Sequence, residues 1–78
     1  MPTVLRDHGF KFYFFSHEPN EPPHVHVDKV GASAKFWLEP VALVKNMGYT
    51  ATELRQIHNI AEEHQTLLLE KWHEHHNQ

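Results

Sequence analysis

The sequence predicts a small α+β domain. In it, an antiparallel sheet of about four strands, formed by two N-terminal hairpins, packs against one long C-terminal helix. Three observations predict this class. Residues 3–39 contain short alternating runs separated by turn residues. Residues 50–75 carry a helical repeat of apolar side chains behind a capping motif. The chain has 78 residues, which is enough for one core. We expect one domain over 1–78, with the sheet at about 3–44 and the helix at about 51–75.

The first hairpin is predicted within residues 3–16. An extended run at 3–6 is followed by Asp7-His8-Gly9, a turn signal, and then by the alternating run Phe10–Ser16. Three turn residues ending in glycine predict a bulged turn. Both faces of the second run carry aromatic side chains, so we expect it to be a central strand. The members of its apolar face are Phe10, Phe12 and Phe14.

The second hairpin is predicted from two further alternating runs, His24–Asp28 and Lys35–Glu39, that follow a proline-rich surface loop at His17–Pro23. If Gly31-Ala32 forms a two-residue turn, one face is wholly apolar and the other pairs polar or charged groups. The predicted pairs are Val27 with Phe36, Val25 with Leu38, Asp28 with Lys35, His26 with Trp37, and His24 with Glu39.

The C-terminal helix has the clearest sequence signal. Thr50 and Glu53 form a capping box, and apolar residues recur with helical spacing from Leu54 to Trp72. A helix over 51–75 would be about 37 Å long, which exceeds what a four-stranded sheet covers. Its C-terminal part is therefore expected to meet a partner. Residues 41–45 fit either a short edge strand or a helical turn, and periodicity does not choose between them.

Composition limits the classes of function. Seven basic and ten acidic side chains give a net charge of −3, which argues against a general nucleic-acid-binding surface. The N-terminus lacks the pattern of a signal peptide, and no apolar run approaches the length of a membrane helix. No cysteine is present, so thiolate metal sites and disulfides are excluded. We expect a soluble cytoplasmic protein.

Nine histidines are the unusual feature of the composition, and they raise a metal-binding hypothesis. His24 and His26 lie two apart on a predicted strand, so both point to one face, and the predicted register adds Glu39. Two imidazoles and a carboxylate suit a divalent first-row metal such as zinc or iron. His73 and His76 on the helix are secondary metal candidates. In the alternative interpretation His24 bonds Glu39, His26 packs on the tryptophan, and no metal is involved.

Two further hypotheses involve no metal, and the first uses the same two histidines. In a small ribonuclease-like toxin, His24 and His26 would act as general base and acid, with Lys35 and Lys11 stabilising a phosphate. No nucleophile with an activating neighbour is evident in the sequence. The favoured hypothesis is a non-catalytic interaction module that binds a protein partner or a second copy of itself. Its candidate interaction residues are Trp37, Leu69 and Trp72.

These segments resemble a small bacterial family known as domain of unknown function 4160. The resemblance covers essentially the whole chain, and the Glu-Pro-Pro-His-x-His-Val and Lys-Phe-Trp-Leu blocks are its most distinctive parts. It implies a stand-alone small protein without an established activity, often encoded beside another small domain, as in a toxin–antitoxin-like pair. The segments that carry it are Pro2–Arg6, Phe10–Phe14, Asn20–Val27, Ala34–Pro40, the start of the Leu54-containing helix, and Trp72–Glu74.

Overall fold

The computed structural model describes residues 3–15 and 21–76, which form a five-stranded antiparallel sheet and two helices. Strands adjacent in sequence are adjacent in the sheet, in the order β1-β2-β3-β4-β5. The α+β class is confirmed, whereas the prediction of about four strands and one helix is corrected to five and two. The elements are β1 Thr3–Asp7, β2 Phe10–Tyr13, β3 His24–Lys29, β4 Ala32–Leu38, β5 Val41–Met47, α1 Ala51–Glu63 and α2 Gln65–His76.

The first hairpin closes through a two-residue turn rather than the three-residue turn expected from the sequence. Asp7 pairs with Phe10, and the turn residues His8 and Gly9 both have positive φ, 53° and 84°. Two positive φ values define the type I′ turn, whose twist matches that of the flanking strands. Strand β2 lies between β1 and β3, so the prediction of a central strand is confirmed. Ser16 and residues 17–20 of the predicted loop lie outside the described residues.

The second hairpin turns at Val30-Gly31, one residue earlier than predicted. Gly31 has φ 81°, so the position that favours glycine is the second turn residue, not the first. The shift moves every pairing by two residues: His24 lies opposite Trp37, and His26 opposite Lys35. Because side chains alternate with a period of two, each residue keeps its predicted face while all its predicted cross-strand partners change.

Residues 41–47 form edge strand β5, which settles the alternative left open by the sequence. A two-residue turn at Glu39-Pro40, containing a cis peptide bond, connects β4 to β5. The ladder shifts between Lys35 and Phe36, and Val44 therefore has no partner in β4. Such a bulge on an edge strand interrupts the regular row of backbone groups that another chain would need for pairing.

The core lies between the sheet and the two helices. The three phenylalanines of the predicted apolar face are at most 1% exposed, which confirms their shared orientation. Burying one such side chain contributes about 1.5–3 kcal/mol, a large amount for a chain of this size. The sheet contributes Phe10, Phe12, Phe14, Val25, Val27, Ala34, Phe36 and Leu38, and the helices contribute Ile57, Ile60, Ala61, Leu68 and Trp72.

The predicted capping box is present at the start of α1. The Thr50 hydroxyl accepts a hydrogen bond from the Glu53 amide, and the Glu53 carboxylate accepts one from the Thr50 amide. The predicted single helix is interrupted at His64, where α1 ends and α2 follows. Just beyond the interruption, the Gln65 side-chain amide donates to the Leu38 carbonyl at 2.7 Å. Within the described residues, neither helix has the length and apolar character that a membrane span requires.

Candidate functional site on the outer sheet face

The sheet has one face packed against the helices and an opposite face that the helices leave uncovered, here called the outer face. Its side chains follow from the alternation of each strand and from the observed register. Among them are Lys11, Tyr13, His26, Asp28, Ser33, Lys35, Trp37, Lys45 and Met47. This face is the candidate site because it combines aromatic rings, lysines and exposed apolar surface.

Four of these side chains form one row across four strands, here called the cross-strand row. Tyr13 lies opposite His26, His26 opposite Lys35, and Lys35 opposite Lys45. Beside the row is an open groove of about 340 Å³. Its lining consists of Tyr13, Phe15, His26, Ser33, Ala34, Lys35, Lys45 and Met47. The lining of the groove therefore comes from the part of the chain between β2 and β5.

One end of the groove is formed by three rings. The Tyr13 and His26 rings are stacked, with centroids 5.6 Å apart and planes 27° apart. Phe15 meets His26 edge-on at 4.3 Å and Tyr13 at 5.5 Å. The Tyr13 hydroxyl donates to Asp28 at 3.1 Å, which fixes the ring in place. This end is largely apolar, and Phe15 is 37% exposed on it.

Tyr13 acts in this cluster as a neutral hydrogen-bond donor. Its burial, followed by its hydrogen bond to Asp28 and the negative charge of that carboxylate, raises the pKa of Tyr13 to about 12. Ionising this hydroxyl would place a second negative charge beside Asp28. Tyr13 is therefore protonated at neutral pH and has a structural role on the outer face.

The other end of the groove carries two lysines. Lys35 is held by the Glu21 carboxylate, and its ammonium also lies 5.2 Å from the centre of the Trp37 ring. Lys45, directly opposite on β5, has no ion pair with any acidic group in the described part of the chain. Like charges opposite each other on neighbouring strands are unfavourable. This end of the groove is thus suited to an anionic group.

His24 lies next to the groove but not in it. Its side chain is fully buried, and its Nδ1 donates to the Pro22 carbonyl at 3.0 Å. The ring also packs against Trp72 of α2, with centroids 4.8 Å apart. His24 therefore closes the end of the core beneath the C-terminal helix.

The predicted pairing of His24 with Glu39 is wrong. Trp37 takes the position opposite His24, and Glu39 is an exposed residue of the turn beyond β4. The carboxylate near His24 is instead Glu21, whose Oε1 is 3.5 Å from Nδ1. Across residues 3–15 and 21–76, no three histidine or acidic side chains are placed to share a metal ion. The predicted set of His24, His26 and Glu39 is therefore not assembled as the sequence suggested.

The two histidines of the secondary metal candidate have different environments. His73 is exposed, whereas His76 stacks on Trp72 with centroids 3.7 Å apart and bonds the Trp72 carbonyl. His75, which the sequence did not single out, packs against Phe14 at 5.8 Å. These contacts place the last turn of α2 against the core.

The three candidate interaction residues have different environments. Trp37 lies half-buried on the outer face, beside Lys35 and His24. Leu69 is half-buried and packs against the core. Trp72 is 6% exposed and is itself a core residue. The helix therefore presents less free apolar surface than its length suggested, since its interruption at His64 accompanies packing of both halves on the sheet.

Sequence reasoning missed several members of the groove, namely Phe15, Lys45, Met47 and the neighbouring Glu21. Lys45 and Met47 belong to a strand that the sequence left undecided. Residues 41–47 show no clear alternation, so their faces follow only from the pairing of β5 with β4. Glu21 lies before β3, outside any alternating run, so no periodic pattern predicts which side chains it contacts.

The fold and the outer face define a small α+β protein with one helix-covered sheet face and one open face that is basic and aromatic. The chain belongs to the family described as Domain of unknown function (DUF4160), whose model matches residues 9–73. Comparison with curated proteins gives no match, and comparison with solved structures gives none either.

Proposed function

We propose that this chain is a small cytoplasmic protein-interaction module that binds a partner protein through the outer face of its sheet. The observation that carries the proposal is the cross-strand row with its groove, where an aromatic cluster and two lysines lie on a face without helical cover. Interfaces are rich in aromatic anchors, and charged groups beside them select the partner. Trp37 would extend this surface next to Lys35.

The partner is proposed to be a different protein rather than a second copy. Strand β5 carries exposed Leu43, Val44 and Met47, but its bulge and Lys45 disfavour pairing of two β5 edges. A different small protein, encoded beside this one, would match the toxin–antitoxin-like pair that the family resemblance implies. In such a pair this chain would be the non-catalytic component.

The catalytic and metal hypotheses have weaker support. A general acid or base must reach its substrate, and the His24 side chain is completely buried. His26 is stacked on Tyr13 and touched by Phe15, which suits a packing role. For a metal, no group of three histidine or acidic side chains within residues 3–15 and 21–76 supports the hypothesis.

Photo-cross-linking in cells of the natural host tests the proposal. A benzophenone amino acid is introduced at Ser33, which lines the groove, and, as a control, at exposed Gln56 on α1. We expect one discrete adduct with a different protein from the Ser33 position and none from the Gln56 position. An adduct between two copies of the chain, or equal adducts from both positions, would overturn the proposal.

A further inference from the structure

At the lysine end of the groove, a carboxylate of the chain itself already binds one of the two lysines. The Lys35 ammonium contacts the Glu21 carboxylate, and the Lys35 side chain is only 17% exposed. Glu21 belongs to the segment between β2 and β3, and its own side chain is 42% exposed. The chain therefore places one of its own carboxylates at the rim of the groove.

Lys45 is the second cationic group of this anion site. It faces Lys35 across the β4–β5 ladder, it lines the groove, and no carboxylate in residues 3–15 or 21–76 pairs with it. Beside it is the apolar side chain of Met47, which is 56% exposed. A ligand with one negative group and a neighbouring apolar group would satisfy both parts of the surface.

We infer that the groove binds a carboxylate side chain of the partner, flanked by an apolar side chain, and that Glu21 competes with it for Lys35. This inference rests on the proposed function and specifies the chemistry of the partner segment. The partner's carboxylate binds between Lys35 and Lys45, and its apolar neighbour packs on Met47. Glu21 lowers the affinity by neutralising one of the two lysines until it is displaced.

A single-stranded nucleic acid fits the groove less well. Such ligands require exposed aromatic faces on which bases stack. Tyr13 is 8% exposed, and its ring and that of His26 are stacked on each other. Among the described residues that line the groove, Phe15 and the half-buried His26 are the partly exposed rings, and His26 is already in contact with both Tyr13 and Phe15. The charge is also limited to two lysines, one of them already paired.

Peptide titration monitored by amide NMR shifts tests this inference with the intact chain. The probe is a capped pentapeptide that alternates glutamate with leucine and phenylalanine. The matched control replaces each glutamate by glutamine, and a thymidine oligonucleotide of five residues is the third ligand. We expect the glutamate peptide alone to shift the amides of Ser33, Lys35, Lys45 and Met47.

Two variants separate the roles of the charges. Glu21→Gln should bind the glutamate peptide about threefold more tightly, and Lys45→Gln about fivefold more weakly, as expected for exposed ion pairs. Glu62→Gln, on α1 with its side chain 58% exposed, is the control and should leave the affinity unchanged. The dispersion of the amide spectrum verifies that each variant is folded.

Equal binding of the glutamine peptide, stronger shifts with the oligonucleotide, or no tightening in Glu21→Gln would overturn the inference. These outcomes remain distinguishable from failure of the proposed function. A Ser33 adduct with a different protein, combined with an inert glutamate peptide, would retain the docking face and reject the carboxylate chemistry. Absence of the Ser33 adduct would reject the docking face itself.

Discussion

Tyr13 and Tyr49 each donate a hydrogen bond from the side-chain hydroxyl, one on the outer face of the sheet and one in the core. The Tyr13 hydroxyl donates to Asp28 on the outer face, while the Tyr49 hydroxyl donates to the Val27 carbonyl inside the core. For Tyr49, burial first, and then the charges of Asp28, Glu53 and Tyr13, raises the pKa to about 12. Both residues are thus kept neutral by desolvation and by nearby carboxylates.

The tyrosine pKa values predict instability at high pH. The neutral phenol is favoured in the folded state, so the stabilisation is fully present below pH 10, the ordinary tyrosine value. It is lost progressively as pH rises toward about 12, where the folded chain also ionises. Tyrosinate absorbance should therefore appear near pH 12 in the native chain and near pH 10 in urea. Native ionisation near pH 10 would contradict the described contacts.

Because the chain contains two tyrosines, the tyrosinate absorbance is the sum of two ionisations, which single variants can separate. Tyr13→Phe and Tyr49→Phe each leave one of them, and each single tyrosine should still titrate above its ordinary value.

Gly48 predicts a packing effect that a matched glycine can isolate. Both Gly31 and Gly48 have positive φ, 81° and 102°, so alanine is strained at either position. A Cβ at Gly48 would also lie 3.0 Å from the Gly31 carbonyl oxygen, whereas a Cβ at Gly31 meets no atom within 4 Å. We expect Gly31→Ala to cost about 1 kcal/mol and Gly48→Ala at least about 2 kcal/mol in urea unfolding. Equal costs would contradict the close approach.

At the residue scale, alternation was enough to predict the apolar face of β2 and β3. The phenylalanines of β2 and the valines of β3 follow a period of two, which is independent of the partner strand. The neighbours of His24 were not predictable in the same way. They depend on whether the turn begins at Val30 or at Gly31, and one residue there changes every cross-strand contact.

At the scale of elements, the start of the helix was predictable and its interruption was not. The capping box is local, because Thr50 and Glu53 bond each other within one turn. The interruption at His64 has no proline or glycine to mark it. It coincides with contacts to distant strands, such as Gln65 to Leu38 and His58 to Val41. Such tertiary contacts are absent from any local pattern.

The capping box predicts a specific loss of stability. Thr50→Ala removes the hydroxyl that accepts the Glu53 amide and should lower the unfolding free energy by about 1 kcal/mol, measured by urea denaturation. Thr52→Ala is the matched control, because Thr52 is exposed within the same turn and is not the cap. It should change stability by less than about 0.5 kcal/mol. Equal losses in the two variants would argue against the cap.

At the scale of the whole molecule, the two faces of the sheet divide the tasks of folding and recognition. The helix-covered face contains nearly all the buried apolar residues, whereas the outer face presents the cross-strand row and its groove. The net charge of −3 does not reveal this division, because it does not show that Lys35 on β4 and Lys45 on β5 lie side by side in the groove. Composition reports the sum of the charges, and only the register shows where they meet.

Calorimetry with the partner recovered from the Ser33 adduct tests whether a partner protein docks on the outer face. Lys45→Glu reverses a charge in the groove, while Lys71→Glu reverses an exposed charge on α2 and is the matched control. We predict that Lys45→Glu weakens binding by about tenfold or more and that Lys71→Glu leaves the Kd unchanged. If Lys71→Glu weakens binding and Lys45→Glu does not, the partner binds the helices and the account is contradicted.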